Sequence, residues 1–143
     1  MARGNKKQNP GGSAGQNRKK SDEFLAQNLK KPNIIETSSG LQYEVIKEGD
    51  GPMPNEDSIV IVKQRAMLLG GKILDDTYKE NSTMEFKLSD TIDGYQEALL
   101  MMKVGSRYKF YVSPELGWGK KGSGGRIGPF AVVIFDVDLV DFY

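Results

Sequence analysis

Two features of the sequence combine residue types that could perform chemistry, a pair of adjacent carboxylates and a glycine-rich loop. Asp75 and Asp76 follow a predicted strand. Paired acid/base catalysis requires two carboxylates with a substrate held between them in a defined geometry, and adjacent surface acids are more commonly solvated turn residues. The loop at 113–130, here called the flap, has five glycines between positions 117 and 125. No Gly-Lys-Ser/Thr leads from it into a helix, so a flexible substrate flap is a better interpretation than a phosphate cradle.

The amino-acid composition excludes several kinds of active site. The 143 residues include no cysteine and no histidine, so disulfides, thiolate or imidazole metal sites and Ser-His-Asp catalysis are all impossible. No metal or other cofactor is therefore expected. No apolar run approaches the ~20 residues that a membrane span requires, and no secretory signal is visible, so we expect a cytoplasmic protein.

Charge divides the chain into segments. Residues 1–20 contain six basic and no acidic residues, whereas residues 32–143 contain 12 Lys and Arg against 17 Asp and Glu. The basic stretch has almost no large apolar side chain, which predicts a disordered tail over 1–20. Ser21 is a candidate N-cap for a short helix that Pro32 ends, so residues 21–33 form a helix and linker. The folded domain is expected at 34–143.

Hydrophobic periodicity predicts the elements of that domain. Alternation indicates strands near 41–45, 58–69, 84–88, 108–112 and 131–139, with a tight hairpin at Gly70-Gly71. Between Ile92 and Met102 the period changes to that of a helix. The predicted class is α+β, an antiparallel, curled sheet of about five strands (a half-barrel) around one helix.

Five segments in order resemble FKBP-type peptidyl-prolyl cis/trans isomerases, and together they cover roughly residues 34–143. They are Ser39-Gly40-Leu41-Gln42-Tyr43 with Gly49-Asp50-Gly51, Gly71-Lys72-Ile73-Leu74-Asp75-Asp76-Thr77-Tyr78, Ile92-Asp93-Gly94-Tyr95-Gln96-Glu97-Ala98-Leu99, Ser113-Pro114-Glu115-Leu116-Gly117-Trp118-Gly119 and Ile134-Phe135-Asp136-Val137-Asp138-Leu139. Residues 24–28 also resemble the helix-to-domain junction of the bacterial macrophage-infectivity-potentiator branch. The long dimerisation helix of that branch is not visible ahead of it, so we expect a monomer.

The resemblance implies an isomerase that assists protein folding by rotating X-Pro amide bonds, with proline-containing proteins or peptides as substrates. It also implies which residues form the substrate pocket. Tyr95 would be its floor, Asp75 its polar rim, and Ile92 the source of a backbone N–H for a ligand carbonyl. Considered alone, its aromatic residues would be ordinary core residues. The pocket set is Gln64, Leu74, Asp75, Phe86, Thr91, Ile92, Tyr95, Trp118, Ile127 and Phe135, and none of these is expected to act as a nucleophile or as an acid/base group.

Four of these positions depart from the family pattern. Gln64 replaces a tyrosine, Leu74 a phenylalanine, Tyr95 a tryptophan and Trp118 a tyrosine. A buried amide needs a partner, and Asp75 is a candidate partner for Gln64. The smaller floor and wall predict weak binding of rapamycin-type macrolides.

Two other interpretations remain open. Gln64 and Leu74 favour a proline-peptide binding module of low activity, which its basic tail would tether to an acidic partner such as RNA or the ribosome. In the other, the chain is a nucleic-acid-associated factor whose domain is only a scaffold. The tail is equally compatible with a solubilising role.

Overall fold

The computed structural model describes residues 14–143. This part of the chain contains three helices and seven strands. They are α1 (Ala14–Asn28), β1 (Ile35–Glu36), β2 (Gln42–Lys47), β3 (Ile59–Leu68), β4 (Ile73–Asp76), α2 (Thr77–Glu80), β5 (Met84–Lys87), α3 (Asp93–Met101), β6 (Arg107–Val112) and β7 (Val133–Phe142). Short 3-10 turns lie at 88–90 and 114–116.

All strand pairs of the described sheet are antiparallel, in the order β1-β2-β6-β7-β3-β4, with β5 also paired to β3. The sheet is open and one face of it packs against α3, so the predicted α+β class is confirmed. The five predicted strands are present. The two that the prediction lacks are β1, which has only two residues, and β4, which has four. Both are too short to show an alternating pattern of their own.

Alternation along the strands separates an apolar face from a polar one. Val60 and Val62 of β3, Phe110 of β6 and Leu99 of α3 are fully buried in one hydrophobic cluster. The opposite face has charged pairs across neighbouring strands, such as Arg107 with Asp136 at 2.9 Å. One face therefore forms the core around α3, and the sequence pattern predicts this division.

Helix α1 covers one end of the opposite face. Phe24 and Leu25 pack against a second cluster of buried residues formed by Ile34, Tyr111, Val132 and Ile134. Because a short helix is unstable alone in water, this docking is what stabilises it.

The helix begins earlier than the sequence predicts. Residues 14–20 belong to α1, although the prediction assigns them to a disordered tail, and Ser21 lies inside the helix instead of capping it. The reason is that α1 docks through polar as well as apolar side chains. Asn17, Ser21 and Asn28 bond to the domain, whereas the disorder prediction counts only apolar side chains. The rest of the predicted tail, residues 1–13, lies outside the described residues.

Candidate functional site

The floor of the candidate site is an aromatic cluster centred on Tyr95. Gly94, the preceding residue, lets α3 approach β6 closely, because a Cβ there would lie 2.8 Å from Val112 Cγ1. The Tyr95 ring, which is 3% exposed, lies 5.2 Å from the Phe135 ring and 5.4 Å from the Phe86 ring. Phe110 lies beneath at 5.5 Å. Three strands and one helix thus supply a compact apolar base.

A buried hydrogen bond satisfies the polar end of this floor. The Tyr95 hydroxyl donates to Gln64 Oε1 at 2.7 Å, and Gln64 is only 4% exposed. The partner of Gln64 is therefore Tyr95, and the expected pairing with Asp75 is wrong. Asp75 is exposed, whereas the Tyr95 phenol is buried within hydrogen-bond distance of the Gln64 amide. Burial, followed by the charges of Tyr78 and Asp75, raises the pKa of Tyr95 well above its usual value.

Two adjoining cavities lie over the floor. The first, of about 260 Å³, lies between β5, the start of α3 and Trp118, and the second, of about 220 Å³, lies between β4 and the flap. Asp75, Trp118 and Phe135 line both. The ten residues that the sequence assigns to a pocket all line one or both cavities: Gln64, Leu74, Asp75, Phe86, Thr91, Ile92, Tyr95, Trp118, Ile127 and Phe135. The structure brings the whole set together, while their part in substrate binding stays a prediction.

The turn before α3 is held by side chains. The Thr91 hydroxyl donates to the Leu88 carbonyl at 2.7 Å, and Gln96 Nε2 donates to the Thr91 carbonyl at 2.7 Å. Ile92 is the N-cap residue of α3, and the first amides of a helix have no intrahelical acceptors. This turn therefore holds Ile92 at the edge of the first cavity.

The flap is a hydrogen-bonded hairpin and not an open loop. Ser123 and Ile127 exchange backbone hydrogen bonds of 2.9 and 3.1 Å. Gly122 has φ +67°, and a Cβ there would lie 2.1 Å from the Ile127 carbonyl oxygen. Only glycine fits this position. The hairpin places the buried Ile127 against the second cavity.

Four further residues line the cavities without having been predicted. They are Ala66, Asp90, Ser123 and Arg126. The guanidinium of Arg126 donates to the Leu74 carbonyl and so links the flap to β4. The sequence assigns Thr91 and Ile127 to the pocket, and these are the chain neighbours of Asp90 and Arg126. Proximity in sequence is therefore the signal that could identify Asp90 and Arg126.

Comparison with known proteins places the chain in a family. A model of the FKBP-type peptidyl-prolyl cis-trans isomerase matches residues 51–140, and a model of the domain amino terminal to such isomerases matches residues 2–45. The chain belongs to the FKBP-type peptidyl-prolyl cis-trans isomerase family. The expected resemblance is confirmed.

Individual peptidyl-prolyl cis-trans isomerases agree with that assignment. The chain is 39% identical, over 87% of its length, to the peptidyl-prolyl cis-trans isomerase Mip of Coxiella burnetii. It is 36% identical, again over 87%, to the probable FKBP-type isomerase FkpA of Neisseria meningitidis. It covers 54% and 46% of these proteins, so the chain spans about half the length of the curated relatives it matches.

Solved structures show the same fold. The crystal structure of FkpA from Escherichia coli is 33% identical with a TM-score of 0.85, and the match covers 90% of this chain and 60% of FkpA. A peptidyl-prolyl cis-trans isomerase from Pseudomonas syringae is 26% identical with a TM-score of 0.84, covering 91% of this chain and 96% of that one.

Within residues 14–143, no helix is both long and apolar enough to cross a bilayer.

Proposed function

We propose that this protein catalyses cis/trans isomerisation of X-Pro bonds in other proteins and so assists their folding. The supporting observation is the floor of Tyr95, Phe86 and Phe135 rings, each within about 5.5 Å of its neighbour, at the base of two cavities. A proline ring is a compact apolar group that fits a concave site of this kind. Membership of the isomerase family supports the same activity.

The proposed chemistry is rotation without bond breaking. Rotating an amide disrupts C–N resonance against a barrier of ~18–20 kcal/mol. The planar amide is more polar than the twisted one. A pocket from which water is excluded therefore destabilises the planar ground state relative to the twisted transition state. No proton transfer, nucleophile or metal is required, which agrees with the absence of His and Cys from the sequence.

The remaining residues position the substrate in this proposal. The Ile92 N–H would donate to a carbonyl of the bound peptide, which would hold the chain in a turn. Asp75 at the rim would accept a hydrogen bond from the peptide, and Ile127 of the flap would cover the second cavity. Trp118, which lines both cavities, would form a wall of each.

The chain's single tryptophan gives a direct test. Trp118 fluorescence is titrated with a short X-Pro peptide and with the same peptide carrying Ala in place of Pro, while cis-to-trans relaxation of the X-Pro peptide is followed separately. The proposal expects a saturable change with the proline peptide alone, together with acceleration of its isomerisation over the uncatalysed ~10–100 s. No acceleration, or equal binding of both peptides, would refute it.

A second candidate is a proline-peptide binding module of low turnover. The Tyr95–Gln64 hydrogen bond favours it, because it puts polar atoms into the floor where the desolvating effect is needed. In this case the fluorescence titration saturates with the proline peptide but isomerisation stays at the uncatalysed rate. This candidate includes an acidic partner for the basic tail. Arg18, one of the six basic residues of the tail, is already ion-paired with Glu115.

We also propose that rapamycin-type macrolides bind here more weakly than to relatives that have a tryptophan floor. Tyr95 and Leu74 offer less apolar area than Trp and Phe, and at ~25 cal/mol per Å² the combined loss reaches a few kcal/mol. Calorimetric titration of this chain and of its Tyr95→Trp variant should give tighter binding for the variant. Equal affinities would contradict this. The cytoplasmic location and monomeric state are likewise proposals from the sequence.

A further inference from the structure

Helix α1 contacts both ends of the flap. At the far end, Asn17 Nδ2 donates to the Pro129 carbonyl at 2.8 Å, and the Ser21 hydroxyl donates to the Phe130 carbonyl at 2.6 Å. At the near end, the Arg18 guanidinium is ion-paired with Glu115. Asn17 and Ser21 are four residues apart and so share one face of the helix.

Phe130 is the residue on which these contacts converge. Its φ is +53°, a left-handed conformation that is unfavourable for a bulky side chain and persists only where the surroundings enforce it. Its carbonyl accepts from Ser21, and the Arg18 guanidinium lies 5.3 Å from its ring centroid. Its N–H donates to the Gly119 carbonyl at 2.9 Å, which links the last residue of the flap to the residue after Trp118.

The same flap supplies the outer wall of the candidate pocket. Trp118 is adjacent to Gly119, and Ile127 lies three residues before Phe130. Movement of Phe130 would therefore move both Trp118 and Ile127, which line the cavities. The hydrogen bond from Arg18 holds the pKa of Glu115 below its usual value. The Glu115 carboxylate is therefore charged at neutral pH, and its ion pair with Arg18 can hold the flap against α1.

We infer that Asn17, Arg18 and Ser21 of α1 are positioning residues for the flap, and that they set substrate affinity at a pocket which they do not touch. The affinity part of this inference rests on the proposed function, whereas the effect on the flap does not. Helix α1, which lies outside the core around α3, thereby helps to shape the candidate pocket. Without these contacts Phe130 relaxes to an ordinary backbone conformation, and the flap samples open arrangements.

The test compares the same substitution at the two ends of α1. Asn17→Ala with Ser21→Ala removes both donors to the flap. Asn28→Ala is the matched control, because Asn28 bonds to Gln42 of β2 at 2.9 Å, away from the flap. The wild type, the Asn17→Ala/Ser21→Ala variant and the Asn28→Ala variant are assayed for KM and kcat on an X-Pro peptide. Backbone hydrogen exchange is measured at Ser123, Ile127 and Phe130. Because it loses two hydrogen bonds to the flap, the Asn17→Ala/Ser21→Ala variant should have a KM raised roughly threefold to tenfold, with kcat nearly unchanged. Exchange at all three amides should be faster than in the wild type.

A merely structural role would give a different outcome. In that case Asn17→Ala with Ser21→Ala and Asn28→Ala would lower the melting temperature while leaving KM and flap exchange at wild-type values, and this result would overturn the inference. Arg18→Lys, which keeps the charge but loses the planar group over Phe130, should give an intermediate increase in flap exchange. If wild-type protein shows no isomerase activity but flap exchange responds as expected, the proposed function fails while the positioning of the flap by α1 stands.

Discussion

At the scale of single residues, the Tyr95–Gln64 pair shows how the chain adapts to its departures from the family pattern. Gln64 introduces an amide where the family resemblance implies a tyrosine, and Tyr95 introduces a hydroxyl where it implies a tryptophan. The two groups lie 2.7 Å apart and satisfy each other in a buried site. The departures therefore compensate as a pair, and neither residue is explained alone.

This pairing predicts a non-additive pair of mutations. Tyr95→Phe leaves the Gln64 oxygen without its donor and should lower the free energy of unfolding by about 1–3 kcal/mol. Adding Gln64→Leu removes the stranded amide, so the double variant should recover most of that loss. Urea unfolding of the wild type, both single variants and the double variant measures the coupling. Additive losses would show that the hydrogen bond contributes nothing.

At the scale of elements, the flap depends on a glycine that no residue with a Cβ can replace while the hairpin stays closed. Gly122→Ala would place its Cβ 2.1 Å from the Ile127 oxygen, whereas Gly124, also at positive φ, has open space around it. Both substitutions strain the backbone, but only Gly122→Ala breaks the hairpin. We expect Gly122→Ala to lower kcat/KM at least severalfold and Gly124→Ala to have a smaller effect, both with near-normal melting temperatures. Similar activities for the two variants would exclude a role for the closed hairpin.

The elements also show what the sequence could predict. Alternation in β3, β6 and β7 and the helical spacing of Tyr95 and Leu99 are strong patterns, because these residues are buried on one face. The sequence predicts only part of helix α1, since its docked face uses Asn17 and Ser21 as well as Phe24 and Leu25. Hydrogen bonds to carbonyls distant in sequence leave no periodic apolar signal. The sequence does not reveal the partner of Gln64 for the same reason, because that hydrogen bond depends on how α3 packs across β3.

At the scale of the whole molecule, α1 and the domain at 34–143 share a buried cluster. Phe24 and Leu25 cover Tyr111, Val132 and Ile134. The sequence predicts that residues 34–143 fold alone, and this division remains a prediction. A chain that begins at Ile34 should unfold cooperatively but with a melting temperature roughly 10 °C lower, because it loses about 2–3 kcal/mol of apolar burial.

Thermal unfolding followed by circular dichroism checks this, with Phe24→Ala in the full chain as the control for the packing contribution. Phe24→Ala should give part of the same decrease. A truncated chain with no cooperative transition would show that α1 belongs to the folding unit.

The central claim is that the pocket accelerates X-Pro rotation by excluding water and not by proton transfer. Its most direct measurement is kcat/KM for a short prolyl peptide, from pH 6 to 8, with wild type, Phe135→Ala and Asp75→Asn. Phe135 is 5% exposed, and its loss opens the wall to water. Phe135→Leu, which keeps most of the apolar volume, is included so that the comparison survives if the alanine variant unfolds.

The account predicts a fall on the order of 10- to 100-fold for Phe135→Ala, a smaller fall for Phe135→Leu, and less than about threefold for Asp75→Asn. It also predicts a nearly flat pH profile, since the chain has no His or Cys and burial raises the pKa of Tyr95 well above its usual value. A bell-shaped profile, or a loss for Asp75→Asn as large as that for Phe135→Ala, would contradict the account and indicate acid/base catalysis.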